Sequence, residues 1–300
     1  MSIFKDIRDA FARRDNAVTQ YIILNVLVFA ALIIVQAVLV LSGHRDLNSD
    51  PTFRGIMRQL ELSSDLSVLL RHPWTPLTYA FTHKDPFHIL FNMLNLYWFG
   101  RLIQEYLGSK RFVSLYLLGG LAGAAVYLLT YNTLPVFHDS VGVGLIGASA
   151  AVVAIIVAAA TLLPDYTFML LFIGAVRIKY IAVFVILVLS VKPIYEGNPG
   201  GGLAHLGGAL LGFLFIKQMQ AGRDLGRPLH AIGGWISRLF ERRPAMQVTH
   251  RAASAGRPAT ARPTAPPAED VDAILDKISR SGYESLSKEE KQRLFKASQQ

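Results

Sequence analysis

Charge is missing from long stretches of this chain: residues 17–43, 112–138 and 197–216 contain no Asp, Glu, Lys or Arg. An apolar stretch of about 20 residues, rising about 1.5 Å per residue as a helix, crosses the hydrocarbon core of a bilayer. The hydropathy pattern predicts six such spans, at roughly 20–42, 86–103, 112–131, 145–163, 177–192 and 200–217. Each span must be helical, because lipid offers no partner to an unpaired backbone group. Pro164 closes the fourth span, since proline cannot supply the donor that continues a helix. Arg177 and Lys179 split the apolar stretch from Thr167 to Val191, so residues 165–176 read as a membrane-edge loop. The expected fold is all-α: a polytopic membrane bundle of six transmembrane helices over residues 20–220, preceded by a short cytoplasmic N-terminus at 1–19.

Beyond Gln220 the pattern changes. Residues 221–243 set Trp235, Ile236, Leu239 and Phe240 among arginines, as in a helix lying on the inner membrane face. Residues 244–267 are rich in Ala, Pro, Arg and Thr and read as a flexible linker. In 268–300, Val271, Ile274, Leu275 and Ile278 recur at one-face helical spacing until Ser281-Gly282 breaks the helix. Ser287 and Glu290 form a capping-box pattern that opens a second helix through Ala297. Two such helices are too small to bury a core of their own. This small cytoplasmic tail is expected to dock on a partner that the sequence does not name.

Composition fits a membrane protein: 52% of residues are apolar and 17% charged, against about 50% and 25% in soluble domains. The absence of cysteine excludes disulfides, thiol nucleophiles and thiolate-ligated metals. Tyr21–Leu41 is too long for the apolar region of a secretory signal and is expected to remain as an uncleaved span. The net charge of +9 lies largely beside the spans and in the tail. There it sets topology and meets anionic lipid, so nucleic acid is not expected as a partner. Lys5, Arg8, Arg13, Arg14, Arg101, Lys110, Arg111, Arg177, Lys179 and the basic tail share one side, whereas loop 132–144 has no Lys or Arg. Both termini are therefore expected in the cytoplasm.

Polar residues inside spans are costly, and three clusters ask for a reason. Span four opens Gly147-Ala148-Ser149-Ala150. Taken alone, its serine is more often a packing residue or a back-bonder to the preceding turn. In span six, His205, Gly208 and Gly212 fall on one helical face, and Ala204, Gly208 and Gly212 form a small-xxx-small ladder that admits another helix closely. The histidine there reads either as one satisfied by a backbone carbonyl or as a general base brought against a nucleophile. Near the entrance of span two stand His83, His88 and Asn92. His88 and Asn92, four apart, both carry donors of the kind a developing oxyanion needs, while interhelical polar glue is the plainer reading. Neither an HExxH motif nor an intramembrane carboxylate accompanies the histidines, so no metal and no other cofactor is expected. All three clusters fall a few residues below the same, extracytoplasmic, surface.

From residue 20 to residue 217 the chain resembles the rhomboid family. The matching residues are His83, His88-Ile89-Leu90-Phe91-Asn92, Gly147-Ala148-Ser149-Ala150, and Ala204-His205 with Gly208 and Gly212. Gly108-Ser109-Lys110-Arg111-Phe112 also matches the family's run after span two. Two positions depart from the pattern. Ala150 replaces a glycine directly after the serine, where a methyl is expected to tighten the oxyanion pocket. Gln104 replaces a glutamate at a position remote from the chemistry, expected to bear on stability. The tail resembles one carried by some bacterial members.

The resemblance implies an intramembrane serine endopeptidase in a bacterial inner membrane, acting on single-span transmembrane proteins. Ser149 would be nucleophile and His205 base, with His88, Asn92 and the Ser149 amide on the oxyanion; His83, Gly147, Ala148, Gly208 and Gly212 would support them. Neither span four nor span six contains Asp or Glu, so a dyad is expected. The base would be oriented by packing at Gly208 and Gly212. Two rival readings remain: a non-catalytic adaptor that binds transmembrane helices, and a small-solute transporter. The transporter would be expected to show internal repeats, and none is clear.

Overall fold

A computed structural model of the chain describes residues 3–13, 15–44, 46–47, 49–171, 173–195, 199–240 and 268–297. The chain divides into two units, 1–241 and 242–300.

In the first unit, α1 (Ile3–Ala12) precedes the long apolar α2 (Ala17–Leu41). The segment between the first two spans is folded rather than a plain loop. It holds α3 (Pro51–Leu60), β1 (Leu62–Ser63), α4 (Leu66–Arg71), α5 (Thr75–Thr78) and a 3₁₀ turn at Tyr79–Phe81. Asp50 and Asp65 start α3 and α4 by accepting from the amides of Phe53 and Ser67, the N-cap geometry that short helices need. Phe53 and Met57 bury the inner face of α3 against Leu32 of α2.

The bundle continues with α6 (Pro86–Leu107), α7 (Ser109–Thr133), β2 (Gly144–Leu145), α8 (Ser149–Leu162), the strands β3 (Thr167–Leu170) and β4 (Gly174–Arg177), α9 (Ile178–Tyr195), α10 (Pro199–Gln220) and α11 (Arg227–Phe240). It is a helical membrane bundle with two short antiparallel ladders. β1 pairs with β2 (Leu62 opposite Leu145), and β3 with β4 (Phe168 opposite Val176). The second ladder makes the expected membrane-edge loop a hairpin. Phe168 turns inward onto Phe99 of α6, with ring centroids 5.1 Å apart.

Length and composition alone qualify α2, α7 and α10 as spans, while α8 and Ile178–Val191 of α9 are shorter apolar helices. α8 has 14 residues, about 21 Å of helix against a hydrocarbon core of about 30 Å. It is short because protein, not lipid, surrounds it: Ala150 to Ile156, Ala158 and Ala159 are all buried. α10 reaches it through the small-residue face. A Cβ at Gly208 would run into the Ala150 carbonyl, and one at Gly212 into that of Ala154. Backbone thus rests on backbone, which only glycine permits.

α7 supports the loops on either side of it. Tyr116 Oη donates to the Ala80 carbonyl at 2.7 Å and Tyr127 Oη to the Val143 carbonyl at 2.6 Å. The first carbonyl lies before α6 and the second before α8. α11 is tied to α7 where His230 Nε2 meets Ser114 Oγ at 2.9 Å. The side chains of Trp235, Ile236, Leu239 and Phe240, and the linker at 244–267, lie outside the described residues.

The second unit holds α12 (Ala268–Ser281) and α13 (Lys288–Ala297). Gly282, at φ +77°, ends α12. The capping box at α13 is reciprocal: the Ser287 amide donates to Glu290 Oε2 at 2.7 Å, and the Glu290 amide to Ser287 Oγ at 3.2 Å.

Candidate active site

The site is assembled at the N-terminal ends of α6, α8 and α10. Ser149 is the first residue of α8, so its amide begins a helix and has no intrahelical acceptor. The turn before it is held by two bonds. Gly147 N donates to the Tyr79 carbonyl at 2.9 Å, and Ala148 N to His83 Nε2 at 3.2 Å. Non-helical backbone can exist at this depth because protein takes up its polar groups.

His205 lies in α10, 8% exposed. Its Nε2 is 2.7 Å from Ser149 Oγ, and its Nδ1 is 2.7 Å from the Leu189 carbonyl of α9. A carbonyl only accepts, so Nδ1 must carry the hydrogen. Nε2 is then the bare nitrogen, free to accept from the serine hydroxyl. The orienting acceptor that a carboxylate supplies elsewhere is here a backbone oxygen, added to the packing at Gly208 and Gly212. Leu189 has no chemistry in its side chain, and nothing in its residue type marked it.

His83 is fully buried. Its Nε2 faces two donors, the Ala148 amide and Asn92 Nδ2 at 3.3 Å, so that nitrogen carries no proton. Asn92 Nδ2 also donates to the His88 carbonyl at 3.0 Å. Both amide hydrogens of Asn92 are thereby engaged. The side chain borders the cavity but holds the frame rather than aiming a donor across it. His88 packs edge-on against His83, ring centroids 5.2 Å apart, and lies over Gly147.

A cavity of about 730 Å³ brings His88, Asn92, Ser149 and His205 together. Asp85 and Asn95 also line it; the rest of the wall is largely apolar, and much of it comes from α6 and α9. Phe87 and Phe91 stand on α6; Phe184, Val185 and Val188 stand on α9. Ala150 does not border it. Its methyl is turned toward α7, where a Cβ at Gly123 would lie 2.5 Å from it. The expectation that this methyl tightens the oxyanion pocket is therefore corrected.

A family model described as the Rhomboid domain matches residues 70–219. The chain belongs to the rhomboid family. Among relatives, a RHOMBOID-like mitochondrial protein 12 of Arabidopsis thaliana is 33% identical over 159 residues, 50% of this chain and 47% of that protein. The presenilin-associated rhomboid-like mitochondrial protein of Mus musculus is 27% identical over 176 residues, 55% of this chain and 43% of that protein. This rhomboid chain spans about half the length of the curated relatives it matches. Residues 267–300 match a second model, described as a family of unknown function (DUF6576).

The other rhomboid departure, Gln104, has a local role. Its Oε1 accepts from Val18 N at 2.9 Å and its Nε2 donates to the Asp15 carbonyl at 3.0 Å. It pins the start of α2 to the end of α6, and a glutamate could not make the second bond.

Proposed function

We propose that this chain is an intramembrane serine endopeptidase that cleaves transmembrane segments of single-span proteins. The observation that carries the reading is the chain of two 2.7 Å contacts from Ser149 Oγ through the imidazole of His205 to the Leu189 carbonyl. In it the proton inventory is already correct for general-base catalysis.

The steps follow from that inventory. Ser149 Oγ attacks the scissile carbonyl carbon while its proton passes to His205 Nε2. The resulting oxyanion is met by the Ser149 amide and by His88, whose ring lies over Gly147 beside it. His205 then returns the proton to the leaving amine as the C–N bond breaks, leaving an acyl-serine. Water attacks the ester carbon while His205 Nε2 takes its proton, and that proton passes to Ser149 Oγ as the acyl C–O bond breaks, releasing the acid and the free serine. Asn92 and His83 hold the turn and ring that do this.

The substrate must reach the serine through the membrane face. The rim formed by Phe87 and Phe91 on one side and Phe184 on the other, 60–68% exposed, favours lateral entry between α6 and α9. A transmembrane helix shields its own peptide bonds, so the cut requires unwinding near one end. Glycine, proline and small residues at the cut favour that. The basic-residue distribution supports cytoplasmic termini, and the tail's resemblance supports a bacterial inner membrane.

Labelling of the purified protein with a serine-reactive fluorophosphonate tests the reading. Labelling lost in Ser149→Ala and in His205→Ala is expected. A wild-type protein that binds a transmembrane peptide but is never labelled and never cuts would make it an adaptor instead.

A further inference from the structure

In an α-helix each carbonyl accepts from the amide four residues further on. For Leu189 that residue is Pro193, inside the same helix α9, and proline has no N–H to give. Pro193 is the only proline in α9. The acceptor it leaves without its i+4 donor is the carbonyl that His205 Nδ1 contacts at 2.7 Å. A carbonyl bonded within its helix points along the axis, whereas the imidazole approaches from α10, at the side. An N–H at position 193 would therefore compete for both the lone pairs and the direction of this oxygen.

We propose that Pro193 is a positioning residue for the base: by withholding an N–H it keeps the Leu189 carbonyl open for His205 Nδ1–H and holds bare Nε2 toward Ser149. The inference rests on reading Ser149 and His205 as nucleophile and base. It adds a determinant outside the cavity and outside the family pattern. It also explains how a dyad without an Asp or Glu in α8 or α10 keeps one tautomer. The hydrogen on Nδ1 has a fixed acceptor, so Nε2 is the nitrogen left to receive the serine proton.

The test separates the missing N–H from the proline ring. In the full-length protein, Pro193→Ala restores the N–H. The α-hydroxy analogue of alanine at 193, introduced by nonsense suppression, puts an ester oxygen there and restores nothing. Cleavage of a single-span reporter with a glycine-containing outer end is measured in detergent, together with the ¹⁵N NMR signals of His205. Pro193→Ala is expected to lower kcat about tenfold or more, with KM within about twofold. Its His205 should show a mixture of tautomers, while the ester form keeps wild-type turnover and a single Nδ1-protonated tautomer. Equal losses in both variants would assign the effect to the ring and overturn the proposal, as would a Pro193→Ala enzyme with wild-type turnover and tautomer. If the wild-type protein itself does not cut, the peptidase reading fails. The tautomer comparison still decides whether Pro193 sets the imidazole.

Discussion

Gly147 and His88 compete for one space: a Cβ at Gly147 would lie 2.6 Å from Cε1 and 2.9 Å from Nε2 of the His88 ring. The glycine also has φ +117°, a conformation that side chains resist. The turn that delivers Ser149 and the ring assigned to the oxyanion are thus fitted together through a missing methyl. Gly147→Ala is expected to push His88 off its seat and strain the turn by about 1–3 kcal/mol. Turnover should fall with little change in KM, in a protein that still inserts. Unchanged kcat in a folded variant would show that His88 does not act from this seat.

His88 and Asn92 should now respond differently, although the sequence put them in one role. His88→Ala is expected to cost about 10²–10³ in kcat with KM nearly constant, the signature of a lost oxyanion donor. Asn92→Ala removes the donor shared by the His88 carbonyl and His83 Nε2. His83 Nε2 keeps the Ala148 amide, so the change should cost about 0.5–1.5 kcal/mol of stability per hydrogen bond lost, seen as a lower Tm beside its loss of turnover. If Asn92→Ala lowered kcat alone, with Tm intact, the asparagine would belong on the oxyanion after all.

Ala150 and Gly123 form an exchangeable pair. Ala150→Gly should leave turnover within about twofold and lower Tm, because alanine favours helix over glycine by about 1 kcal/mol and its methyl fills the α7–α8 contact. Gly123→Ala should cost about 1–3 kcal/mol by overpacking. The double change, Gly123→Ala with Ala150→Gly, should recover the part due to the Ala150 methyl, the new Cβ still lying 3.1 Å from the Ala204 carbonyl oxygen and 3.2 Å from Tyr79 Oη. Additive losses in the double variant would refute the pairing.

The tail offers a pH test independent of proteolysis. The Lys277 ammonium, followed by the Ser287 amide, holds the Glu290 carboxyl down to about pKa 2. A carboxyl depressed on folding contributes stability above its ordinary pKa and loses it as pH falls through the folded value. The protection of the Ser287 amide, measured against its intrinsic exchange rate at each pH, should therefore be high at pH 5 and fall between about pH 4.5 and 2. In Lys277→Gln the same change should begin at higher pH. A profile that does not move in this variant would mean that Lys277 does not set the carboxyl.

The sequence by itself determined what is local or periodic. Charge-free stretches of bilayer length set the spans. Pro164 follows the end of α8 at Leu162, Gly282 ends α12, and Ser287 with Glu290 start α13, because each acts within one or two turns of its own position. The glycines at 208 and 212 were legible as a contact face because helical period alone aligns them. Tertiary structure decided what depends on which group a side chain meets across elements. Asn92 was chemically fit for an oxyanion, but its hydrogens go to His83 and the His88 carbonyl, since the four-residue loop 82–85 sets His83 beside α6. Ala150 turned away from the serine because α7 left room for a methyl at Gly123. The acceptor that orients His205 is a backbone oxygen, which every residue carries and no residue type announces. Only its place opposite the imidazole, with a proline four residues on, makes the Leu189 carbonyl different from its neighbours.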